Sequence, residues 1–323
     1  MNNYLHDSAN IAAITQVFGP TKGHWKYSLL NLLLRVSVKW RHGLEVNVSS
    51  VRDQVTKLDR QAPKQLPGLN RLKANADGVS GEWLVPDNHQ DNRVVLYLHG
   101  GAFVASSPNV HATMLAPWCE ALGARALMVD YRLAPEHPFP AASDDSFTAY
   151  KWLLEQGFAP KDIVIAGDSA GGNLVLSTLL RLKAEQLARP ACAVLLSPFL
   201  DFTLSGRSAL TNAQRDPIFT SAFAIGVRSH YAPAELHSDP RVSPLLGDFE
   251  GLPPMLFQVG STEMLLDDSV RAASKARDAK VPVQLEIWEK LPHVFQTIDA
   301  LPQAKTAAQR ICQFVGQHTD WTH

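Results

Sequence analysis

One serine in this chain has the neighbours that a catalytic nucleophile needs. The segment GDSAG (residues 167–171) follows the apolar run Ile163–Ala166 and precedes a stretch whose leucines recur at helical spacing. A serine at such a strand-to-helix turn is held in a strained backbone conformation, and its neighbours must lack bulk. The two glycines of the segment provide that space. The pattern predicts that Ser169 is a nucleophile that attacks an acyl carbonyl group.

A serine hydroxyl needs a base to remove its proton, and the order of residues narrows the choice of that base. In proteins with this kind of turn, the acid follows the serine along the chain, and the histidine comes after the acid. Of the 12 histidines, only His293, His318 and His323 lie beyond the acidic candidates near residue 263. The last two are in the polar C-terminal tail, where chain ends fray. His293 follows the apolar run Val283–Ile287, and we predict that it is the general base.

Three carboxylates compete for the role of the triad acid in the loop after the apolar run Met255–Val259. Asp267 and Asp268 directly precede a predicted helix, where carboxylates serve as caps and first-turn charges. Glu263 stands closer to the end of the predicted strand, from where a side chain can reach the imidazole. We therefore favour Glu263 as the acid and keep Asp267 as the alternative.

The predicted reaction creates an oxyanion, which needs amide donors in fixed positions. One donor is expected from Ala170, the residue after the nucleophile. The others are expected from the segment HGGA (residues 99–102), which follows the apolar run Val94–Leu98. Its two glycines allow the backbone to approach a substrate closely.

The elements that must position these residues alternate between strands and helices. Nearly continuous apolar runs beyond residue 65 are separated by helical stretches, which predicts a mostly parallel sheet covered on both faces. Residues 202–239 interrupt the alternation, as a lid or binding segment would. The first 65 residues are predicted to be helical, with an apolar helix over Trp25–Arg41.

Composition excludes several classes of function. The 323 residues are 46% hydrophobic and 19% charged, which is typical of a compact globular protein. A net charge of −1 gives no electrostatic basis for binding nucleic acid or an anionic membrane. The widely spaced Cys119, Cys192 and Cys312 suggest neither a disulfide framework nor a metal site. No signal peptide and no stable membrane span is recognisable. We expect a cytoplasmic protein that uses no metal and no cofactor.

Five segments together resemble the hormone-sensitive-lipase-like esterases of the α/β-hydrolase superfamily. They are HGGAF (99–103), DYRLAPEHPFPAA (130–142), GDSAGG (167–172), SPLLGDFEGLPP (243–254) and PHVFQ (292–296). The resemblance implies an α/β-hydrolase fold, with a mostly parallel eight-stranded sheet flanked by helices. It also implies an oxyanion hole made by Gly100, Gly101 and Ala170. The family usually has aspartate at the position of Glu263, and Ala102 replaces a third glycine of the family's loop.

The resemblance further implies a helical cap over the active site, made of residues 1–65 and 202–239, with the core in 66–201 and 240–323. Within this cap, the apolar helix either faces the acyl pocket or packs on the core. The implied function is hydrolysis of short- to medium-chain acyl esters through a Ser169–His293–Glu263 triad and an acyl-enzyme intermediate. A lactone or amide hydrolase with the same triad is the alternative. A ligand receptor on this fold would lack the histidine. The sequence leaves a homodimer open.

Overall fold

The computed structural model describes residues 11–19, 24–37 and 47–321 and places nine strands of these residues in one sheet. The strands are β1 Thr15–Phe18, β2 Leu69–Ala76, β3 Val79–Pro86, β4 Val94–Leu98, β5 Arg125–Val129, β6 Ile163–Asp168, β7 Cys192–Leu196, β8 Met255–Gly260 and β9 Val283–Trp288. Their order across the sheet is β1-β9-β8-β7-β6-β4-β5-β3-β2. Only the pairs β2–β3 and β3–β5 are antiparallel, so the sheet is mostly parallel as predicted.

Helices connect most of these strands. They are α1 His24–Ser37, α2 Val48–Asp59, α3 Pro108–Leu122, α4 Ala141–Glu155, α5 Ala170–Ala184, α6 Ser208–Thr211, α7 Ser221–Tyr231, α8 Leu266–Asp278 and α9 Pro302–His318. Short 3₁₀ turns occupy Pro160–Asp162, Ala234–Leu236, Pro244–Leu246 and Phe295–Thr297. In the described part of the chain, no helix is both long and apolar enough to cross a lipid bilayer.

The sheet is covered on both faces, and its strands are apolar for that reason. Leu96 and Ile165 belong to a core cluster with α4, α5 and α8, whereas their neighbours Val95 and Val164 belong to a cluster with α3 and α9. Successive residues of a strand point to opposite faces, so both sets must be apolar. The β4 strand is buried at all its positions, as such a strand requires.

The strand count corrects the sequence prediction, because the sheet has nine described strands and not eight. The additional strand, β1, comes from the segment that was assigned to the cap. It pairs in parallel with β9, from Thr15 opposite Leu285 to Phe18 opposite Trp288. A four-residue edge strand with one neighbour and a half-exposed pattern leaves almost no periodic signal in the sequence. Residues 1–10, 20–23 and 38–46 of the predicted cap lie outside the described residues.

The insertion between β7 and β8 carries α6 and α7 and is tied to the loop after β8. The longer helix of the insertion is α7, and the Thr220 hydroxyl caps it by accepting from the Phe223 amide at 3.0 Å. Asp216 accepts from the amides of Ile218 and Phe219, and its other oxygen accepts from the Met264 amide at 2.8 Å. The insertion therefore has a fixed position beside the loop that contains Glu263.

Candidate active site

Ser169 lies between the central strand β6 and helix α5, in a conformation that side chains rarely adopt. Its φ of 52° and ψ of −116° turn the chain sharply at this residue. A Cβ at Gly171 would lie 1.8 Å from the Leu98 carbonyl oxygen, and one at Gly167 would lie 2.6 Å from the same oxygen. Both positions therefore require glycine, and the turn has the geometry of a nucleophile elbow.

His293 and Glu263 form a buried pair at the ends of adjacent strands. His293 Nδ1 lies 2.7 Å from Glu263 Oε2, and the other carboxylate oxygen accepts from the Gly260 amide at 2.5 Å and the Ser197 hydroxyl at 2.8 Å. Because an ionised carboxylate only accepts, Nδ1 carries the proton and Nε2 is left with its lone pair. Nε2 is buried and has no hydrogen-bond partner among the described residues.

The electrostatics of this pair favour protonation of the imidazole. Burial, the largest single effect, lowers the pKa of His293, but the nearby carboxylates, Glu263 foremost, together raise it above its usual value. Asp216 and Asp168 contribute in the same direction.

The structure places the other candidate acids away from the imidazole, in the first turn of α8. Asp267 Oδ2 accepts from the Ser208 amide at 2.9 Å, and its own amide donates to the Ser208 hydroxyl. Asp268 accepts from the amides of Leu200 and Asp201, and burial raises its pKa to about 8. Both carboxylates thus bind backbone amides and not the histidine.

The remaining candidate histidines take no part in this arrangement. His318 ends α9, where its ring packs on Phe314 with 4.6 Å between centroids. His323 lies outside the described residues.

Residues 99–102, called the oxyanion loop below, follow β4. The prediction that the Gly100 amide is one of the donors needs correction. The Gly100 amide donates to Asp168 Oδ1 at 2.7 Å, so it is not available to a substrate. The amides of Gly101, Ala102 and Ala170 donate to no acceptor within the described residues. Local sequence could not show this, because glycines report only that a backbone can approach closely, and the acceptor is 68 residues away.

A narrow apolar cleft of about 30 Å³ opens onto Ser169. Its lining residues are Ala102, Ser169, Phe199, Phe219, Phe223, Ala224, Val227 and Leu265. The Phe219 ring stacks on Phe223 and also contacts the His293 ring, with 4.5 Å between the latter two centroids. Ser169 and Ala102 thus line one cleft, and the His293 ring packs against Phe219 in its wall. A larger groove of about 690 Å³ beside Arg181 and Arg241 contains none of these residues.

Comparisons with known proteins agree with this architecture. Residues 95–297 match the family described by its alpha/beta hydrolase fold. An esterase of Acinetobacter venetianus is 38% identical over 293 residues, which is 90% of this chain and 96% of that protein. An acetyl-hydrolase of Streptomyces hygroscopicus is 38% identical over 231 residues, covering 71% of this chain and 77% of the relative.

Solved structures show the same likeness. The crystal structure of an esterase from the bacterial hormone-sensitive lipase family superposes with a TM-score of 0.85 at 35% identity, covering 93% of this chain and 99% of that one. The chain belongs to the bacterial hormone-sensitive-lipase-type esterases of the α/β-hydrolase fold. It is accordingly a carboxylic ester hydrolase.

Proposed function

We propose that the protein hydrolyses short- to medium-chain acyl esters through a Ser169–His293–Glu263 triad and an acyl-enzyme intermediate. The observation that carries the proposal is the buried His293–Glu263 pair. The Nε2 atom of His293 has no partner among the described residues, and the His293 ring packs on Phe219, which lines the cleft that contains Ser169. The carboxylate holds the ring in the tautomer that can accept a proton.

The reaction follows from this geometry. His293 Nε2 takes the proton of the Ser169 hydroxyl as Oγ attacks the carbonyl carbon of the ester. The resulting oxyanion accepts from the amides of Gly101, Ala102 and Ala170. When the tetrahedral intermediate collapses, the carbon–oxygen bond to the alcohol breaks and the alcohol takes the proton from Nε2. A water molecule then repeats the sequence on the acyl-enzyme, and the carboxylic acid leaves Ser169 free.

The cleft supports a short or medium acyl chain. Its walls are aromatic and aliphatic, and the stacked rings of Phe219 and Phe223 narrow it beside the histidine. An apolar slot binds an alkyl chain by removing its surface from water, at about 0.8 kcal/mol for each methylene group. The similarity to an acetyl-hydrolase is consistent with a small acyl group.

We further propose that residues 1–65 and 202–239 form a cap over the core of residues 66–201 and 240–323. Phe219, Phe223 and Val227 of the second segment line the cleft directly. From the first segment, Asn31 donates to the Lys290 carbonyl oxygen and Arg35 to that of Arg215. These contacts support a position of α1 over the loop that leads to His293, although β1 belongs to the sheet.

The proposal is tested with chromogenic acetyl, butyryl and octanoyl esters, together with a lactone and an anilide. We expect the acetyl and butyryl esters to be hydrolysed fastest. Ser169→Ala should lower kcat by about 10⁴-fold or more. The matched control is Ser177→Ala, because Ser177 lies on the same helix and its hydroxyl donates to the Leu174 carbonyl oxygen. Turnover of Ser169→Ala within tenfold of the control contradicts the triad, and a preference for the lactone or anilide contradicts the substrate class.

A further inference from the structure

One buried carboxylate joins the two halves of the site. Asp168 is the last residue of β6 and directly precedes Ser169 in the chain. Its Oδ1 accepts from the Gly100 amide at 2.7 Å and from the Tyr97 hydroxyl at 2.6 Å. The nucleophile elbow and the oxyanion loop, which come from different strands, are thus connected through the side chain of a single residue.

The oxyanion loop packs tightly against this carboxylate. A Cβ at Gly100 would lie 2.1 Å from Asp168 Oδ2, so the contact exists only with glycine at this position. The next residue, Gly101, has a φ of +121°, and its carbonyl oxygen accepts from the amides of Val104 and Ala105 at 3.0 Å each. The Gly100 amide therefore points toward Asp168, and the chain turns immediately after it.

His111 lies within ion-pair distance of Asp168. Its Nε2 lies 3.2 Å from Asp168 Oδ1, and its Nδ1 lies 2.9 Å from the Ser107 carbonyl oxygen and 3.3 Å from the Ser107 hydroxyl. Donation to the carboxylate and to the carbonyl oxygen together needs a proton on each ring nitrogen, so these contacts favour the imidazolium.

The titration behaviour of the pair agrees with this geometry. Burial alone raises the pKa of Asp168, but His111 with the bonds from Tyr97 and Gly100 lowers it to about 2. Burial, the largest single effect, lowers the pKa of His111, but Asp168, the Ser107 carbonyl oxygen and Asp59 together raise it above its usual value. Tyr97, His99 and Asp59 also face His111, with ring centroids 5.7 Å away for Tyr97 and 5.9 Å away for His99.

We propose that Asp168, held as a carboxylate by His111, is a positioning residue of the oxyanion hole. It fixes the Gly100 peptide so that the amides of Gly101 and Ala102 face the substrate oxygen at a set distance from Ser169. A charged acceptor holds an amide more firmly than a neutral one does. This inference rests on the proposed ester hydrolysis, since only the oxyanion of that reaction uses the positioned amides.

The test compares Asp168→Asn and His111→Gln with the wild type. Both variants keep a polar side chain of similar shape and remove one charge of the pair. Glu286→Gln is the matched control, because Glu286 is also a buried carboxylate in an ion pair, with Arg310 on α9. Three quantities are measured: kcat/KM for a butyryl ester, the inhibition constant of an alkyl trifluoromethyl ketone, and that of the corresponding alcohol. The ketone adds to the serine and forms an oxyanion, whereas the alcohol only fills the cleft.

We expect Asp168→Asn to lower kcat/KM by about 10- to 100-fold, because a small displacement of the donors weakens the transition state strongly. The affinity for the ketone should fall by the same factor, with the affinity for the alcohol unchanged. In His111→Gln, kcat/KM and the affinity for the ketone should both fall by about 3- to 10-fold. If Asp168→Asn does not fold, His111→Gln alone tests whether the pair positions the oxyanion hole. Glu286→Gln should leave all three quantities unchanged.

Two results overturn the inference. One is unchanged kcat/KM in folded variants, and the other is a lower kcat/KM with unchanged affinity for the ketone, as a merely structural role would give. These results leave the proposed function standing if the wild type hydrolyses esters. A wild type that hydrolyses no ester overturns the proposed function and, with it, the inference.

Discussion

Glu263 Oε2 lies 2.7 Å from His293 Nδ1, although 30 residues separate the two positions in the chain. They meet because each follows one of two adjacent parallel strands, β8 and β9. Parallel strands bring their carboxyl ends to one edge of a sheet, and Ser169 follows β6 at that same edge. The sheet topology therefore determines which residues can form the triad.

Replacement of the acid separates the two candidate carboxylates. Glu263→Gln keeps the shape but removes the charge that stabilises the imidazolium, so we expect kcat to fall by about 10²-fold or more. Asp267→Asn weakens a bond to the Ser208 amide and should cost about 1 kcal/mol of stability with little change in kcat. Both variants are measured for kcat and thermal midpoint. An inactive Asp267→Asn beside a normal Glu263→Gln would make Asp267 the triad acid.

The pH dependence of kcat/KM reports the protonation of His293. The base must be neutral to accept the serine proton, so activity falls as the pH drops through the pKa of this group. The Glu263 carboxylate raises that pKa, so the acidic limb should lie above the ordinary histidine value of about 6.5. In Glu263→Gln the burial remains without the charge, and the limb should move to lower pH. If kcat/KM falls at the same acidic pH in the wild type and in Glu263→Gln, Glu263 does not raise the pKa of His293.

The aromatic wall of the cleft should set the preference for acyl length. Phe223→Ala enlarges the slot beside Phe219. The ratio of kcat/KM for octanoyl over acetyl esters should rise about tenfold, because burying about two further methylene groups at about 0.8 kcal/mol each corresponds to that factor. The control is Phe147→Ala, which removes a buried ring of α4 outside the cleft lining. An equal ratio in Phe223→Ala and the control would show that this ring does not limit the chain.

The glycine after the nucleophile turn should be indispensable for folding. Gly171→Ala places a Cβ 1.8 Å from the Leu98 carbonyl oxygen, and we expect a loss of stability of about 4 kcal/mol or more. Gly316→Ala is the matched control on α9, because a Cβ there meets nothing within 4 Å. Denaturant unfolding of both variants checks the difference. A Gly171→Ala protein as stable as the control would mean that the turn is less tightly packed than described.

The sequence predicted the strands beyond residue 65 because buried parallel strands must be apolar on both faces. Ser169 could be singled out from the segment around it, and the pairing of Glu263 with His293 could be expected from their positions after successive strands. The strand Thr15–Phe18 could not be found, because a short edge strand needs only one partner and one covered face.

The direction of the Gly100 amide could not be found either. It depends on Asp168, a side chain that reaches the loop only in the folded sheet. The pattern of glycines was correct about the close approach of the backbone, but it carried no information about which amide remains free. Tertiary contacts of this kind decide which donors of a loop face a substrate.

Covalent labelling by a small organophosphate identifies the nucleophile directly, because the reagent forms a bond to the reacting side chain. If Ser169 is that nucleophile, loss of esterase activity coincides with a single phosphoryl group per chain, carried by the peptide that contains Ser169. The Ser169→Ala variant should remain unlabelled under the same conditions, whereas Ser177→Ala should be labelled as the wild type is. Complete inactivation with the label on any other residue would show that Ser169 is not the nucleophile.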